Sequence, residues 1–390
     1  MWKRICEKDL KLLTGNFPCT LILGARQAGK TALSRLAFEN AQYFDLESLD
    51  LQARIKLSPE SFLRGLATFA ILDEVQLIPE LFPSLKVVID EDRKRNHRFL
   101  LLGSAHPSIL RNVSESLAGR VAILDLQLLS FRECATAEPF VAFNDFWLRG
   151  QFPETAAMTD PDFRFRWYDS YIRTFVERDL TRYQTGTDGA LMLRLLRMAA
   201  HMNGGLVNLS NLSNALGINY HTVDKYLSIL EGAFLIRRLP SYHASLKKRL
   251  VKAPRLYLCD TGMLHYFLGI RSFDELLDNP ACGTSFEGFM IHEIMKNLGL
   301  GGTAPTYGFF RTQTGQECDL IIDWGSRRTA VEIKRGGRPD KEWLTSVRFA
   351  ATELKCSRAC IVHTGRESYT VDGVELIAAE DPVLFDKLAD

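Results

Sequence analysis

The sequence predicts an α/β protein whose first part is a parallel sheet with helices on both faces. Short apolar runs alternate with helical patterns over the first 130 residues, and a glycine-rich loop joins the first run to a helix. The runs Thr68–Leu72 and Phe99–Leu102 are nearly unbroken apolar sequence, which is typical of strands buried on both faces. Beyond this sheet the pattern changes, and three further segments follow.

The four segments have different patterns. Residues 1–135 carry the sheet, and residues 136–205 are helical and connect it to the rest. Residues 206–270 predict two helices joined by a short glycine-containing turn and then two strands, which is the pattern of a winged helix-turn-helix. Residues 271–390 predict a small α/β domain of helix, hairpin, helix and strand. The five runs expected as strands of the first sheet are Phe17–Leu23, Gln42–Leu46, Thr68–Leu72, Phe99–Leu102 and Val121–Leu126.

Composition limits the classes of protein that this chain can be. Its 390 residues carry 48 Lys and Arg against 47 Asp and Glu, a formal net charge of +1. This balance excludes nucleic-acid binding through bulk charge, although a local basic surface is still allowed. The sequence has no apolar run of membrane-spanning length and no apolar signal core, and its eight cysteines form no CxxC pair. We therefore expect a cytoplasmic protein with reduced thiols and no membrane partner.

A phosphate-binding loop lies between the first predicted strand and the helix after it. Residues 24–31 match GxxxxGK[ST] at every specified position. The glycines let backbone N–H groups turn toward phosphate oxygens, and the helix N-terminus adds partial positive charge. Lys30 is expected to reach the β- and γ-phosphates, and the Thr31 hydroxyl to hold Mg²⁺. The residues expected to bind the nucleotide are Gly24, Ala25, Arg26, Gln27, Ala28, Gly29, Lys30 and Thr31.

Two acids follow the third apolar run and complete the predicted site. We expect Asp73 to hold Mg²⁺ through water, and Glu74 to orient and deprotonate the attacking water. One strand should lie between the loop and these acids, as in ATPases, and the GTPase motif Asn/Thr-Lys-x-Asp is absent from the sequence. Ser104 is expected either to sense the γ-phosphate or to serve as a turn residue. Arg120 either stabilises transition-state charge, in its own subunit or a neighbouring one, or forms a structural ion pair.

A basic stretch follows the second helix of the helix-turn-helix. Seven basic residues and no acid fall within 19 residues. A DNA-binding winged helix places such a stretch against phosphates, whereas the alternative is a loop that contacts acidic neighbours or solvent. The seven residues are Arg237, Arg238, Lys247, Lys248, Arg249, Lys252 and Arg255, and Lys225 on the helix itself is a further candidate.

The last segment carries two acids and a lysine that a hairpin can bring together. Strand alternation places Glu332 and Lys334 on one face of the same strand. A hairpin through Gly325 would set Asp319 beside Glu332. Two carboxylates can bind one divalent metal, and a lysine can assist the water or the scissile phosphate.

A further acid lies on the helix predicted at residues 285–298. Glu287 falls near the middle of the apolar stripe of this helix, where a carboxylate is costly unless it is paired or metal-bound. Glu293, nearer the edge of the stripe, is the weaker candidate. With Asp319, Glu332 and Lys334, Glu287 completes a pattern typical of PD-(D/E)xK nucleases. The sequence does not decide whether a second divalent metal binds at this site.

Several motifs, taken in order, resemble one protein family over nearly the whole chain. They are GARQAGKT, ILDEVQLIP, LAGRV with LLSFRE, YIRTFVERDL, LYLCDTGML, SFEGFMIHEI, and RTQTGQECDLII followed by AVEIKR. The chain resembles the bacterial and archaeal AAA-type ATPases with a C-terminal restriction-endonuclease-like domain. The resemblance implies ATP and Mg²⁺ at residues 24–31 and 73–74, a winged helix and a nuclease-like fold. The chain departs from the family at Ala105, where a further polar residue is usual. This departure weakens the assignment of Ser104 as the residue that senses the γ-phosphate.

The sequence thus predicts a protein that hydrolyses ATP with Mg²⁺ and has a DNA-facing C-terminal half. The alternative is a nucleotide-switched module that binds protein or DNA and cuts nothing. DNA, a protein partner and a second copy of the chain are its candidate partners, and the sequence does not choose among them.

Overall fold

The structure is a computed structural model, and it describes residues 2–104, 113, 115–135, 140–179, 188–242, 251–300, 304–337 and 340–389. The chain divides into two compact units, Met1–Leu129 with Gly232–Phe234, and Ser130–Glu231 with Leu235–Asp390. All eight cysteines are free thiols. In the described ranges, no helix combines the length and the apolar character that crossing a membrane requires.

The first unit contains a five-stranded parallel sheet. Its strands are β1 (Cys19–Gly24), β2 (Gln42–Asp45), β3 (Ala70–Asp73), β4 (Phe99–Ser104) and β5 (Val121–Leu126). They lie in the order β2-β3-β4-β1-β5, and every neighbouring pair is parallel. The strand β4 therefore separates the strand of the phosphate-binding loop from the strand that ends in the acids. This order confirms the arrangement predicted from the sequence.

Apolar side chains of the sheet and its helices form the core of this unit. Every residue of β1 and β3 is buried, as expected for strands inside a parallel sheet. Leu72 on β3 and Leu101 on β4 belong to one core cluster with Leu85 and Ile89. The α-helices whose full range is described in this unit are Glu7–Asn16, Lys30–Ala37, Leu49–Leu57, Pro59–Arg64 and Leu81–Glu91, with a 3-10 turn at Val75–Leu77.

The second unit begins with helices and a strand pair. The two helices predicted around the tight turn are present, and Gly217 between them takes a φ of 69°, a left-handed conformation that glycine adopts without strain. The two predicted strands are present as β6 (Ile236–Leu239) and β7 (Arg255–Leu258), and they pair antiparallel. The helices are Phe131–Cys134, Phe143–Arg149, Pro153–Ala157, Pro161–Thr174, Gly189–His201, Leu209–Leu216, Tyr220–Gly232, Thr261–Leu268 and Phe273–Asp278, with a π-helical turn at Phe175–Asp179.

A six-stranded mixed sheet completes the second unit. Its strands are β8 (Thr306–Arg311), β9 (Glu317–Asp323), β10 (Arg328–Lys334), β11 (Arg358–His363), β12 (Tyr369–Val371) and β13 (Val374–Ala378). They lie in the order β12-β13-β11-β10-β9-β8. The predicted hairpin is present as the antiparallel pair β9–β10, with a turn through Gly325. The helices are Cys282–Leu298, Lys341–Leu354 and Leu384–Ala389. The strands β8, β12 and β13 were not predicted from the sequence.

Candidate functional site

The two specified glycines of the phosphate-binding loop are required for different reasons. Gly29, just before the helix Lys30–Ala37, has a φ of 95°, which few residues other than glycine adopt. Gly24 ends β1, and a Cβ built on it would lie 2.5 Å from the carbonyl oxygen of Leu126 on β5. At position 29, the backbone conformation therefore requires glycine. At position 24, the close approach of β1 and β5 leaves no room for a side chain.

The side chain of Lys30 is folded onto the loop. Lys30 is buried, and its Nζ donates to the carbonyl oxygens of Gly24 at 3.0 Å and Ala25 at 2.8 Å. The guanidinium of Arg4, also buried, donates to the carbonyl oxygen of Ala28 at 2.9 Å. These bonds satisfy loop carbonyls and keep the ammonium group at the place where phosphate oxygens are expected.

The two predicted Mg²⁺ ligands are in direct contact. The Oγ1 of Thr31 donates to Oδ2 of Asp73 at 2.7 Å, although the residues are 42 positions apart. Tyr43 on β2 donates to the same oxygen at 2.7 Å, and the backbone N–H of Glu74 donates to Oδ1 at 2.9 Å. The Asp73 carboxylate is thus held by three donors, and hard oxygen ligands of this kind suit Mg²⁺.

Tyr43 is a site residue that sequence reasoning missed. Burial, together with its hydrogen bond to Asp73, raises the pKa of the Tyr43 hydroxyl. The guanidinium of Arg35 stacks over its ring at 4.0 Å from the centroid. The predicted parallel sheet could have pointed to this contact, since β2 lies beside β3 with Phe44 opposite Leu72. The sequence predicted a strand between β3 and the phosphate-binding loop but not which strand lies on the other side of β3, where β2 carries Tyr43.

Glu74 has an unusual backbone conformation. Its φ is 57°, in the left-handed region that large side chains seldom occupy, and such strain is concentrated at functional sites. Its carboxylate accepts a hydrogen bond from the side-chain amide of Gln76. Burial raises the pKa of Glu74, while the nearby charge of Lys30 opposes this rise. A raised pKa makes the carboxylate a more effective base toward water.

The structure says less about the roles of Ser104 and Arg120 at this site. Ser104 ends β4 in register with Gly24, but its side chain, like the whole of Ala105, lies outside the described residues. Arg120 donates from Nε and Nη2 to the two carboxylate oxygens of Asp90 at 2.8 and 2.7 Å. The structural ion pair, one of the two alternatives for Arg120, is therefore present, and the catalytic alternative stays a prediction.

The second unit brings together the four predicted nuclease-like residues. Oδ2 of Asp319 accepts from the backbone N–H of Ile333 at 3.0 Å, across the hairpin β9–β10. Nζ of Lys334 lies 2.7 Å from Oε1 of Glu332 and 3.7 Å from Oδ2 of Asp319. Glu287, on the helix Cys282–Leu298, is linked to Asp319 because one arginine donates hydrogen bonds to both carboxylates. We call the set Glu287, Asp319, Glu332 and Lys334 the C-terminal cluster.

The arginine that binds both acids is Arg255, which the sequence had placed in the basic stretch. Its Nη1 donates to Oε1 of Glu287 at 2.8 Å and to Oδ1 of Asp319 at 3.1 Å, and its Nη2 donates to Oε2 of Glu317 at 2.9 Å. Arg255 is only 4% exposed. It is therefore removed from the basic surface and binds two acids of the C-terminal cluster. Strand alternation alone could not identify this partner, because all four residues of β7 are buried.

Burial governs the protonation of the cluster. It raises the pKa of Glu287 to about 7 and that of Glu332 to about 8, and repulsion from Asp319 acts in the same direction on both. Oε2 of Glu332 is buried and has no hydrogen-bond partner among the described residues. In the part of the chain that the structure describes, no group of three or more His, Cys, Asp or Glu is placed to hold a metal ion.

The basic stretch is less available than the sequence suggested. Arg238 donates from Nε to Glu231 at 2.8 Å and from Nη1 to Asp224 at 2.6 Å, so a phosphate contact would have to break both ion pairs. Of the remaining candidates, Lys225 and Lys252 are exposed, Arg237 is half-buried, and Lys247, Lys248 and Arg249 lie outside the described residues.

The sequence matches three known domains. Residues 16–135 match an AAA domain, 141–274 a domain of unknown function (DUF8612) and 282–381 another (DUF4143).

The chain is also similar to whole proteins. The uncharacterized proteins Rv2008c of Mycobacterium tuberculosis and Mb2031c of Mycobacterium bovis are each 36% identical to this chain over 369 residues, which are 94% of this chain and 81% of their own. An uncharacterized protein of Haemophilus influenzae is 22% identical over 288 residues, 64% of this chain and 69% of its own. Among solved structures, the Walker-type ATPase PABY2304 of Pyrococcus abyssi aligns over 69% of this chain and 96% of its own, with 16% identity and a TM-score of 0.48.

Proposed function

We propose that this chain, which belongs to the same family as Rv2008c of Mycobacterium tuberculosis and carries an AAA-type P-loop ATPase domain, binds ATP and hydrolyses it with Mg²⁺. The observation that carries this proposal is the 2.7 Å hydrogen bond between Thr31 and Asp73. It joins the phosphate-binding loop to the acidic end of β3 and so assembles the two predicted Mg²⁺ ligands.

Each side chain then has a defined task. Lys30 exchanges its two carbonyl partners for phosphate oxygens, while loop N–H groups bind further oxygens. Thr31 and, through water, Asp73 would hold Mg²⁺, which would neutralise charge on the phosphates. Tyr43 keeps the Asp73 carboxylate in its orientation. Glu74 orients the attacking water and accepts its proton.

Nucleotide binding is tested by Lys30→Ala. We expect ATP affinity to fall at least about tenfold, because charge-assisted hydrogen bonds contribute about 1.5–3 kcal/mol each. Equilibrium titration with a fluorescent ATP analogue measures the affinity. Lys11→Ala is the matched control, since Lys11 pairs with Glu7 on the surface of the same unit. Wild-type affinity in Lys30→Ala would overturn the proposal.

Hydrolysis is tested by Glu74→Gln. We expect this variant to bind ATP normally and to turn it over about 10²–10⁴-fold more slowly, the usual contribution of a general base. The exposed Glu80, six positions further along, provides the control Glu80→Gln, which should hydrolyse ATP like the wild type. Normal turnover in Glu74→Gln would remove Glu74 from this role.

For the second unit, one observation favours the binding alternative over the nuclease alternative. A guanidinium nitrogen of Arg255 lies within hydrogen-bonding distance of both Glu287 and Asp319, two of the three acids that a cleaving site could use for metal. We infer a nucleotide-switched module for DNA, a protein partner or a second copy of the chain, without DNA cleavage. Plasmid nicking with Mg²⁺ or Mn²⁺ should be absent in every nucleotide state. Metal-dependent nicking that Asp319→Ala abolishes would overturn this inference.

A further inference from the structure

The C-terminal cluster is assembled from separate parts of the chain. Glu287 lies on the helix Cys282–Leu298, and Asp319 and Glu332 lie on β9 and β10, all within the part that matches DUF4143. Arg255 lies on β7, within the part that matches DUF8612. One matched segment therefore supplies the acids and the preceding one supplies the cation that binds them.

The charges of the cluster explain why a cation is needed there. Glu287, Asp319 and Glu332 have side chains that are 15%, 4% and 3% exposed. Lys334 pairs with Glu332, and its Nζ is 3.7 Å from the nearer oxygen of Asp319. Without Arg255, these three carboxylates would be left with the charge of one lysine. Carboxylates in this position require a cation or a proton.

Arg255 meets this need incompletely. Its Nη1 bridges one oxygen of Glu287 and one of Asp319, which is the position that a small cation between two carboxylates would take. Its Nε, however, is buried without a hydrogen-bond partner, and so is Oε2 of Glu332, in the part of the chain that the structure describes. As arranged, the residues do not fit a divalent metal, because the guanidinium is bonded to the oxygens that would bind it.

We propose that Arg255 is a tethered cation that takes the place of a divalent metal between Glu287 and Asp319 and masks a latent metal site. In the wild-type chain this site binds no metal. A divalent ion of the oxygen-preferring class, such as Mg²⁺ or Mn²⁺, enters only when the guanidinium is absent or withdrawn with β7. This proposal extends the non-cleaving role inferred for the second unit, but its readout is metal binding.

The test uses the full chain without nucleotide and Mn²⁺ alone as the probe. Bound Mn²⁺ is counted from the electron paramagnetic resonance signal of the free ion. We expect Arg255→Gln to bind one more Mn²⁺ per chain than the wild type, since glutamine removes the cation and keeps a polar side chain. The matched control adds Glu287→Gln and Asp319→Asn to Arg255→Gln and should return the number to that of the wild type.

Two results would overturn the proposal. One is a folded Arg255→Gln variant that binds no more Mn²⁺ than the wild type. The other is wild-type Mn²⁺ binding that Glu287→Gln with Asp319→Asn removes, since metal would then bind with Arg255 in place. Plasmid nicking by the wild type is a separate measurement, so failure of the non-cleaving role can be told apart from failure of this proposal.

If Arg255→Gln loses the native fold, the proposal can still be tested by whether Mn²⁺ restores that fold. We then expect Mn²⁺, but not the chelated ion, to restore the near-ultraviolet circular dichroism of the wild type, because the metal replaces the missing cation. Failure of saturating Mn²⁺ to restore that spectrum would count against the latent site. The variant Arg255→Lys keeps the charge, and it should fold without added metal.

Discussion

Replacing Glu332 with glutamine should stabilise the second unit at alkaline pH. Glu332 is buried on β10, where it faces Lys334, Asp319 and Glu287. Burial raises its pKa from 4.5 to about 8, so the folded chain favours the protonated carboxyl. Protonated Glu332 therefore contributes its full stability to the folded chain below pH 4.5, the ordinary pKa of the carboxyl. This contribution is lost as the pH rises through about 8, the pKa in the folded chain. Glutamine resembles the protonated form and does not ionise.

The size of the effect follows from this shift. A rise of the pKa from 4.5 to about 8 corresponds to about 5 kcal/mol between the two protonation states. Glutamine also loses the ion pair with Lys334, whose side chain is 33% exposed, and this offsets part of the gain. We therefore expect Glu332→Gln to raise the free energy of unfolding by about 1–3 kcal/mol near pH 8.5, and to leave it nearly unchanged near pH 5.

The assay is urea unfolding followed by tryptophan fluorescence at both pH values. Four of the five tryptophans lie in the second unit, so the signal reports mainly on that unit; they are Trp147, Trp167, Trp324 and Trp343. The control is Glu375→Gln on β13, which removes a partly exposed ion pair with Arg358 and should cost up to about 1 kcal/mol at either pH. If Glu332→Gln is destabilised like the control near pH 8.5, burial does not dominate the energetics of Glu332 and the reasoning fails.

Three further predictions concern the first unit and the helix-turn-helix. Tyr43→Phe removes a hydrogen bond to Asp73 and should weaken Mg²⁺-dependent ATP binding about fivefold, with binding in EDTA unchanged; equal losses in both titrations would refute this. Arg120→Ala and Asp90→Ala should change ATP turnover by less than about twofold, because the two form a surface ion pair; a larger loss in Arg120→Ala alone would assign the arginine to catalysis. Lys225→Ala should weaken DNA binding and reduce the slope of log affinity against log salt by about one, and an unchanged slope would exclude a phosphate contact.

The sequence determined the features that depend on residues close together in the chain. The apolar runs predicted all five strands of the first sheet, most directly β1 and β3, because strands buried on both faces need nearly continuous apolar sequence. The phosphate-binding loop was predicted because its glycines, lysine and threonine act within eight residues. The hairpin β9–β10 followed from period-two alternation around a turn at Gly325, so the approach of Asp319 to the strand of Glu332 was also predicted.

Tertiary structure decided which distant side chains neutralise one another. By sequence, Arg255 and Arg238 belonged to one basic stretch, yet the first is buried between acids of β9 and the helix Cys282–Leu298, and the second pairs with Glu231. Likewise, the hydrogen bond from Tyr43 to Asp73 depends on which strand lies beside β3. Net charge and strand alternation do not contain this information, because the partner of a buried charge is set by strand order and packing. The sequence alone thus predicted an ATPase site, whereas only the fold showed that a cation from β7 neutralises the acids of the C-terminal cluster.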